Sequence, residues 1–185
     1  MRYKIGALFI FLLLQFTTTT ITLDLGYFTI EVPQNWKYVE QQGIDSFVGR
    51  IELDQKDELQ FDLGAHSNSL SEQPDFIISN DSLFIPTDMH EKRNSLAESK
   101  YKFYKLRSRK NIDELYKQDF LYEIIDGRNA KITFPKQTGN GVTGVYFDNI
   151  SLKENGHKLQ ISGENLSREN QEKFLLAIRS IKFSK

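Results

Sequence analysis

The chain contains no cysteine in its 185 residues. That excludes a disulfide framework, a thiolate metal site, a cysteine nucleophile and a lipid anchor attached through an N-terminal cysteine. Its three histidines, His66, His90 and His157, show no i, i+4 pair, and no H-E-x-x-H run encodes a zinc-peptidase helix. No G-x-S-x-G elbow is present to position a serine nucleophile. Net charge is small, with 24 basic and 25 acidic residues, so nothing in the balance points to nucleic acid. There are no internal repeats, and the only low-complexity stretch is the threonine run at 17–20. The longest apolar run, Ile5 to Leu14, falls well short of the roughly twenty residues of a comfortable bilayer span.

That apolar run follows Arg2 and Lys4, which together make a secretory signal pattern. The expected division is a signal peptide over 1–22, cut somewhere in 16–24, followed by one globular domain over 23–185. An anchor left uncut through Leu25 is the competing reading, and would be the only membrane contact. Either way the expected location is outside the cytoplasm, periplasmic or extracellular. Loss of Arg2 and Lys4 leaves 22 basic residues against 25 acidic, a net charge of −3. Roughly 160 residues then remain, enough for a sizeable core.

Periodicity within that domain favours strands. Gly26 to Val32 reads as a strand ended by Pro33, with Trp36 just beyond it as a large residue covering one end of the core. Phe47, Gly49, Ile51 and Leu53 alternate with polar neighbours, and Leu59, Phe61 and Leu63 repeat the pattern. Matching their apolar faces requires a hairpin loop of three or five residues. Phe120–Ile125 and Ala130–Phe134 flank Asp126-Gly127. A three-residue loop over 126–128 would set Ile124 opposite Ala130, Tyr122 opposite Ile132 and Phe120 opposite Phe134. Asn155-Gly156, the strongest short hairpin signal, predicts Leu152 opposite Leu159 and Ile150 opposite Ile161. Ser167 is placed to cap a helix from Arg168 to about Ser180, with Phe174, Leu175, Ile178 and Ile181 on its apolar stripe.

The region 65–118 is more irregular and polar. It holds short apolar pieces at 76–78 and 83–85, a charged stretch over 87–100 that could carry a short helix, and a second possible helix over 112–118 capped by Asn111. The expected fold is therefore α+β: a single domain, mainly antiparallel sheet, covered by helices that include a C-terminal one.

Chemistry-bearing residues are sparse. Gly139, Gly141 and Gly144 spell G-x-G-x-x-G, but the run leads into a strand, whereas the dinucleotide fingerprint opens a helix. A flexible turn explains it. His66 lies in a serine-rich loop after Asp62 and before Ser67 and Ser69, so a hydrolase using His66 with nearby carboxylates is an alternative function. Asp54, Asp57 and Glu58 could touch calcium in a turn, although their spacing is not that of an EF-hand. The least ordinary surface is Lys100, Lys102, Lys105, Arg107, Arg109 and Lys110, interleaved with Tyr101, Phe103 and Tyr104. It reads as an anion-binding face or, more plainly, as an edge strand that its lysines guard against pairing. No catalytic, cofactor or metal residues stand out.

Five stretches carry a resemblance: Phe28-Thr-Ile-Glu-Val-Pro-x-x-Trp36, Gly43 to Gly49, Leu59-x-Phe-Asp-Leu-Gly64 with His66 to Leu70, Gly141-x-x-Gly-Val-Tyr-Phe147, and Gly163 to Phe183. Together they resemble small exported proteins of Gram-negative bacteria and, more distantly, the PsbP-like α/β sandwich. The resemblance implies export, an antiparallel sheet flanked by helices, and an accessory or binding role. The expected function is a non-enzymatic exported binding or accessory domain, or else a structural envelope protein. Its partner would be an anionic ligand or another envelope protein, with no nucleic acid and no cofactor expected.

Overall fold

Alternating apolar residues build the larger sheet. The structure is a computed structural model that describes residues 19–72, 77–79, 82–86, 101–105, 116–150 and 157–184. Phe47–Glu52 (β4) and Glu58–Gly64 (β5) pair antiparallel, with Ile51 opposite Leu59 and Gly49 opposite Phe61. Their loop is the five residues 53–57, one of the two lengths that matching apolar faces allow. Lys37–Glu40 (β3), Gln118–Ile125 (β9), Arg128–Pro135 (β10), Val142–Phe147 (β11) and Lys158–Glu164 (β12) complete a seven-stranded sheet. All its pairs are antiparallel, in the order β3-β4-β5-β12-β11-β10-β9.

A second layer covers the inner face of that sheet. Thr20–Asp24 (β1), Phe28–Pro33 (β2) and the short Lys182–Phe183 (β13) form a three-stranded sheet in the order β1-β2-β13. Phe28 meets Phe61 edge-on at 5.6 Å, and Phe183 meets Phe147 at 5.0 Å. The helix Arg168–Ala177 (α1) and the 3-10 turn Ile178–Ser180 lie beside β2 and add Phe174, Ala177 and Ile178 to one core. Ser167 caps α1 by accepting from Asn170 N at 3.4 Å. Trp36 is 1% exposed and belongs to that core. Ile77–Ser79 (β6), Ser82–Pro86 (β7) and Tyr101–Lys105 (β8) form a further three-stranded antiparallel sheet.

The expected α+β sheet covered by helices is therefore corrected to a mainly antiparallel β architecture. Among the described residues there is one α-helix of ten residues. A small sheet made from residues 20–33 and 182–183 shares with it the work that helices were expected to do. The expected helix over 112–118 does not form at its described end, since Gln118 opens β9. Tyr116 and Lys117 are not helical either; residues 112–115, and the helix considered over 87–100, lie outside the described residues. The first strand also begins earlier than expected, at Thr20, inside the 16–24 interval. Ile21 and Leu23 of that strand pack against the core.

Two registers also differ from expectation. Leu159 pairs with Phe147 and Ile161 with Val145, and not with Leu152 and Ile150. Phe147 and Val145 are wholly buried, so the strand that fills the core sets the register. Ile150 N donates to His157 O at 3.0 Å, within a longer connection. Asn155 and Gly156 lie outside the described residues. The β9–β10 hairpin turns in two residues, with Asp126 at φ 48° and Gly127 at φ 74° and Ile125 opposite Arg128. Positive φ at both positions is the I′ turn that Asp-Gly favours. One residue fewer in the loop moves Phe120, Tyr122 and Ile124 from the core face to the outer face.

Candidate functional site: a cleft on the outer face of the sheet

That slip creates the most distinctive surface of the molecule. Phe120, Tyr122 and Ile124 stand on the outer face, 58%, 70% and 68% exposed. The rings of Phe120 and Tyr122 meet edge-on at 5.7 Å. On the next strand Lys131 lies opposite Tyr122 and Thr133 opposite Phe120.

Residues 69–72 cross over this face and make it concave. Gly144 on β11 permits the crossing, because a Cβ there would meet Leu70 Cδ1 at 2.7 Å and Ile161 O at 2.6 Å. Lys131 Nζ donates to Ser69 O at 3.1 Å and to Ser71 Oγ at 3.2 Å. The Glu72 carboxylate accepts from Lys117 N and Gln118 N, each at 2.9 Å, and so ties the crossing segment to the start of β9. The result is a cleft of about 600 Å³ lined by Leu70, Glu72, Tyr116, Phe120, Lys131 and Thr133. A smaller recess of about 220 Å³ opens beyond the Lys131 bridge, against Tyr122, Tyr146 and Asp148.

Besides Leu70 and Phe120 the lining is polar and includes two acids, Glu72 and Asp119, with Lys131 as its one cation. Lys131 Nζ sits 5.2 Å from the centre of the Phe120 ring. Burial pushes its pKa below the ordinary lysine value, because the charged form loses solvation. Thr133 is 2% exposed, and its hydroxyl has no hydrogen-bond partner. In the smaller recess, burial and then the charge of Asp148 raise the Tyr146 phenol. A lysine, an unpaired hydroxyl and aromatic walls converge here, which suits a ligand with one acceptor or anionic group and an apolar face.

The residues singled out in the sequence fall elsewhere. Lys102 and Lys105 lie on β8, the edge strand of its sheet; Lys100, Arg107, Arg109 and Lys110 lie outside the described residues. His66 is exposed on the turn after β5. The neighbouring Ser67 hydroxyl is committed to backbone, accepting from Gly64 N at 3.1 Å and donating to Asp62 O at 3.0 Å. Gly141 turns at φ 136° into β11, held by Asn165 Oδ1, which accepts its N–H at 2.8 Å.

The acidic turn after β4 serves the helix. Asp54 Oδ2 and Asp57 Oδ2 accept from Asn170 Nδ2 at 2.6 and 2.7 Å, and Asp57 Oδ2 also accepts from Ser167 N at 2.9 Å. Glu58 pairs with Arg50 at 3.3 Å. Among the described residues no group of three or more His, Asp or Glu side chains is arranged to hold a metal ion. The sequence reading missed Lys131, Thr133 and the outer aromatic row. Asp126-Gly127 was the available signal, since a two-residue turn there reverses the faces.

Compared with known proteins, the chain matches no family model and no curated relative.

Proposed function

We propose that this chain is an exported binding or accessory domain, and that its ligand is a small anion with an apolar or aromatic face, held in the cleft over β9 and β10. The observation that carries the reading is the presence in one cleft of Lys131, whose Nζ lies 5.2 Å from the Phe120 ring, and of the buried, unpartnered Thr133 hydroxyl. A cleft of about 600 Å³ is in the ordinary range for a small-molecule site. The signal-like N-terminus supports export.

Benzoate is a suitable probe because it carries one carboxylate on one flat ring. Titration into isotope-labelled protein is expected to move the amide resonances of residues 116–122 and 131–133. Lys131→Met should weaken that binding about tenfold or more, since hydrogen bonds to charged groups contribute roughly 1.5–3 kcal/mol. Thr133→Val should weaken it severalfold while leaving the melting temperature nearly unchanged. Shifts confined to other surfaces, or equal affinity in both variants, would overturn the reading.

Export has its own expected result. β1 is part of the small sheet, so a leader is removed without loss of the fold only if the cut precedes Thr20. Intact-mass measurement on the exported protein is expected to place the N-terminus at or before Thr20. A terminus inside 21–24 would contradict this.

A further inference from the structure

β9 forms one edge of the seven-stranded sheet, and among the described residues no strand pairs with its outer side. In a two-residue hairpin, the residues flanking the turn exchange the first pair of ladder hydrogen bonds. Ile125 and Arg128 hold those positions. Ile125, Glu123, Leu121 and Asp119 therefore turn their backbone groups toward β10. Phe120, Tyr122 and Ile124 turn theirs outward, away from the sheet. These are also the three residues of β9 whose large apolar side chains are exposed. Free backbone pairing capacity and apolar surface thus coincide on alternating residues. Residues 118–125 contain no lysine and no proline, two of the usual guards of an exposed edge.

We propose that β9 pairs antiparallel with β9 of a second copy of this chain, about a two-fold axis through Tyr122, so that the two large sheets join into one. Strand chemistry selects this register. Centred on Tyr122, Tyr122 faces its own equivalent and Phe120 faces Ile124 of the other copy. One apolar row then runs across the junction on the outer face. Leu121 faces Glu123, whose carboxylate is already held by Arg179 at 2.6 and 3.0 Å. Centring on Leu121 would set Asp119 against Glu123 twice, and centring on Glu123 would set Glu123 against itself. Like charges directly opposite destabilise a pair. Centring on Phe120 would run the ladder out of β9 into Lys117 and Tyr116. The Tyr122 register alone keeps 119–125 paired without a like-charge clash. A strand whose apolar row meets itself, and whose acids then face apolar residues and not each other, favours a second copy over a foreign strand. Lys131 and Thr133 lie off this edge, so the dimer and the cleft are tested by different variants.

The absence of cysteine makes the test direct. Directly opposite residues in a hydrogen-bonded antiparallel pair have Cα atoms about 5.5 Å apart, within disulfide range. Tyr122→Cys should therefore link two chains on mild oxidation. Phe120→Cys should not, because its own equivalent would lie roughly 14 Å along the strand. The double variant Phe120→Cys with Ile124→Cys should link again. Light scattering on the wild-type chain should give a dimer at roughly 0.1 mM, the strength expected of a modest interface. Tyr122→Lys should give a folded monomer. A wild-type monomer at that concentration, a dimer that survives Tyr122→Lys, or equal linking at positions 120 and 122 would each overturn the proposal.

Discussion

Phe61→Ala is expected to destabilise the protein by about 3–5 kcal/mol, the usual cost of emptying a buried aromatic site. Phe61 is 2% exposed and sits where the layers meet. Its ring contacts Phe28 of the small sheet at 5.6 Å, Phe47 at 5.4 Å and Tyr38 at 6.0 Å. It also lies across Gly49, its partner on β4. A Cβ at Gly49 would run into the Phe61 ring and come within 2.7 Å of Tyr38 Cε2. Gly49→Ala should therefore be destabilising in the wild type. In the Phe61→Ala background the same change should recover part of the loss, because the remaining close contact is with the rim of half-buried Tyr38. Urea unfolding of the four proteins in this cycle measures the coupling. An equal effect of Gly49→Ala in both backgrounds would show that Phe61 is not what keeps position 49 small.

Acid should unfold the protein through three carboxylates. Asp54 is held below the ordinary aspartate value mainly by the backbone N–H groups of Asp57 and Lys56, with help from Asn170. At Asp57, burial raises the value, but hydrogen bonds from Asn170 and Ser167 outweigh it and the net shift is downward. Asp126 is lowered chiefly by the Phe183 N–H, which it accepts at 3.0 Å, and further by Lys182 and Arg128. A carboxylate with a depressed folded value adds stability that is fully present above its unfolded pKa of about 3.9. That stability is lost as pH falls through the folded values. The melting temperature should thus hold steady from about pH 7 to pH 5 and drop steeply below about pH 4. Replacing Asp54 and Asp57 together by Asn should lower the melting temperature at neutral pH, since both carboxylates accept from Asn170 and Asp57 also from Ser167 N. It should also flatten the acid limb. An unchanged limb would mean that other groups govern acid unfolding.

The sequence carried the strands better than it carried their partners. Alternation at 47–53 and 59–63 gave β4 and β5 and narrowed their loop to three or five residues, of which five is found, because one buried face fixes the parity of the register. Ser167 and the Phe174 stripe likewise gave α1. The β9–β10 hairpin failed on one residue of loop length. Apolar residues of both parities occur in 120–125, so pattern alone does not choose the core face; the Asp-Gly turn does. The β11–β12 register failed differently. A strong local turn signal at Asn155-Gly156 pointed to Leu152 and Ile150, while Val145 and Phe147 fit the core opposite Ile161 and Leu159. The cleft was not legible at all. It depends on Leu70 crossing above Gly144, more than seventy positions away in sequence, and no local pattern announces such a meeting.

The small sheet also constrains the order of events in folding. β2 is flanked by β1 on one side and by β13, about 150 residues further along, on the other. Ser180 Oγ accepts the Glu31 N–H at 2.8 Å, and Ser184 N donates to Tyr27 O at 3.0 Å. Contacts this distant in sequence form slowly and only once both partners exist. A growing chain can assemble its early hairpins but cannot close the second layer until residues 182–183 have been made. Until then Phe28, Ile30 and Val32 lack their full cover, and the core waits on a strand about 150 positions downstream of the one it completes.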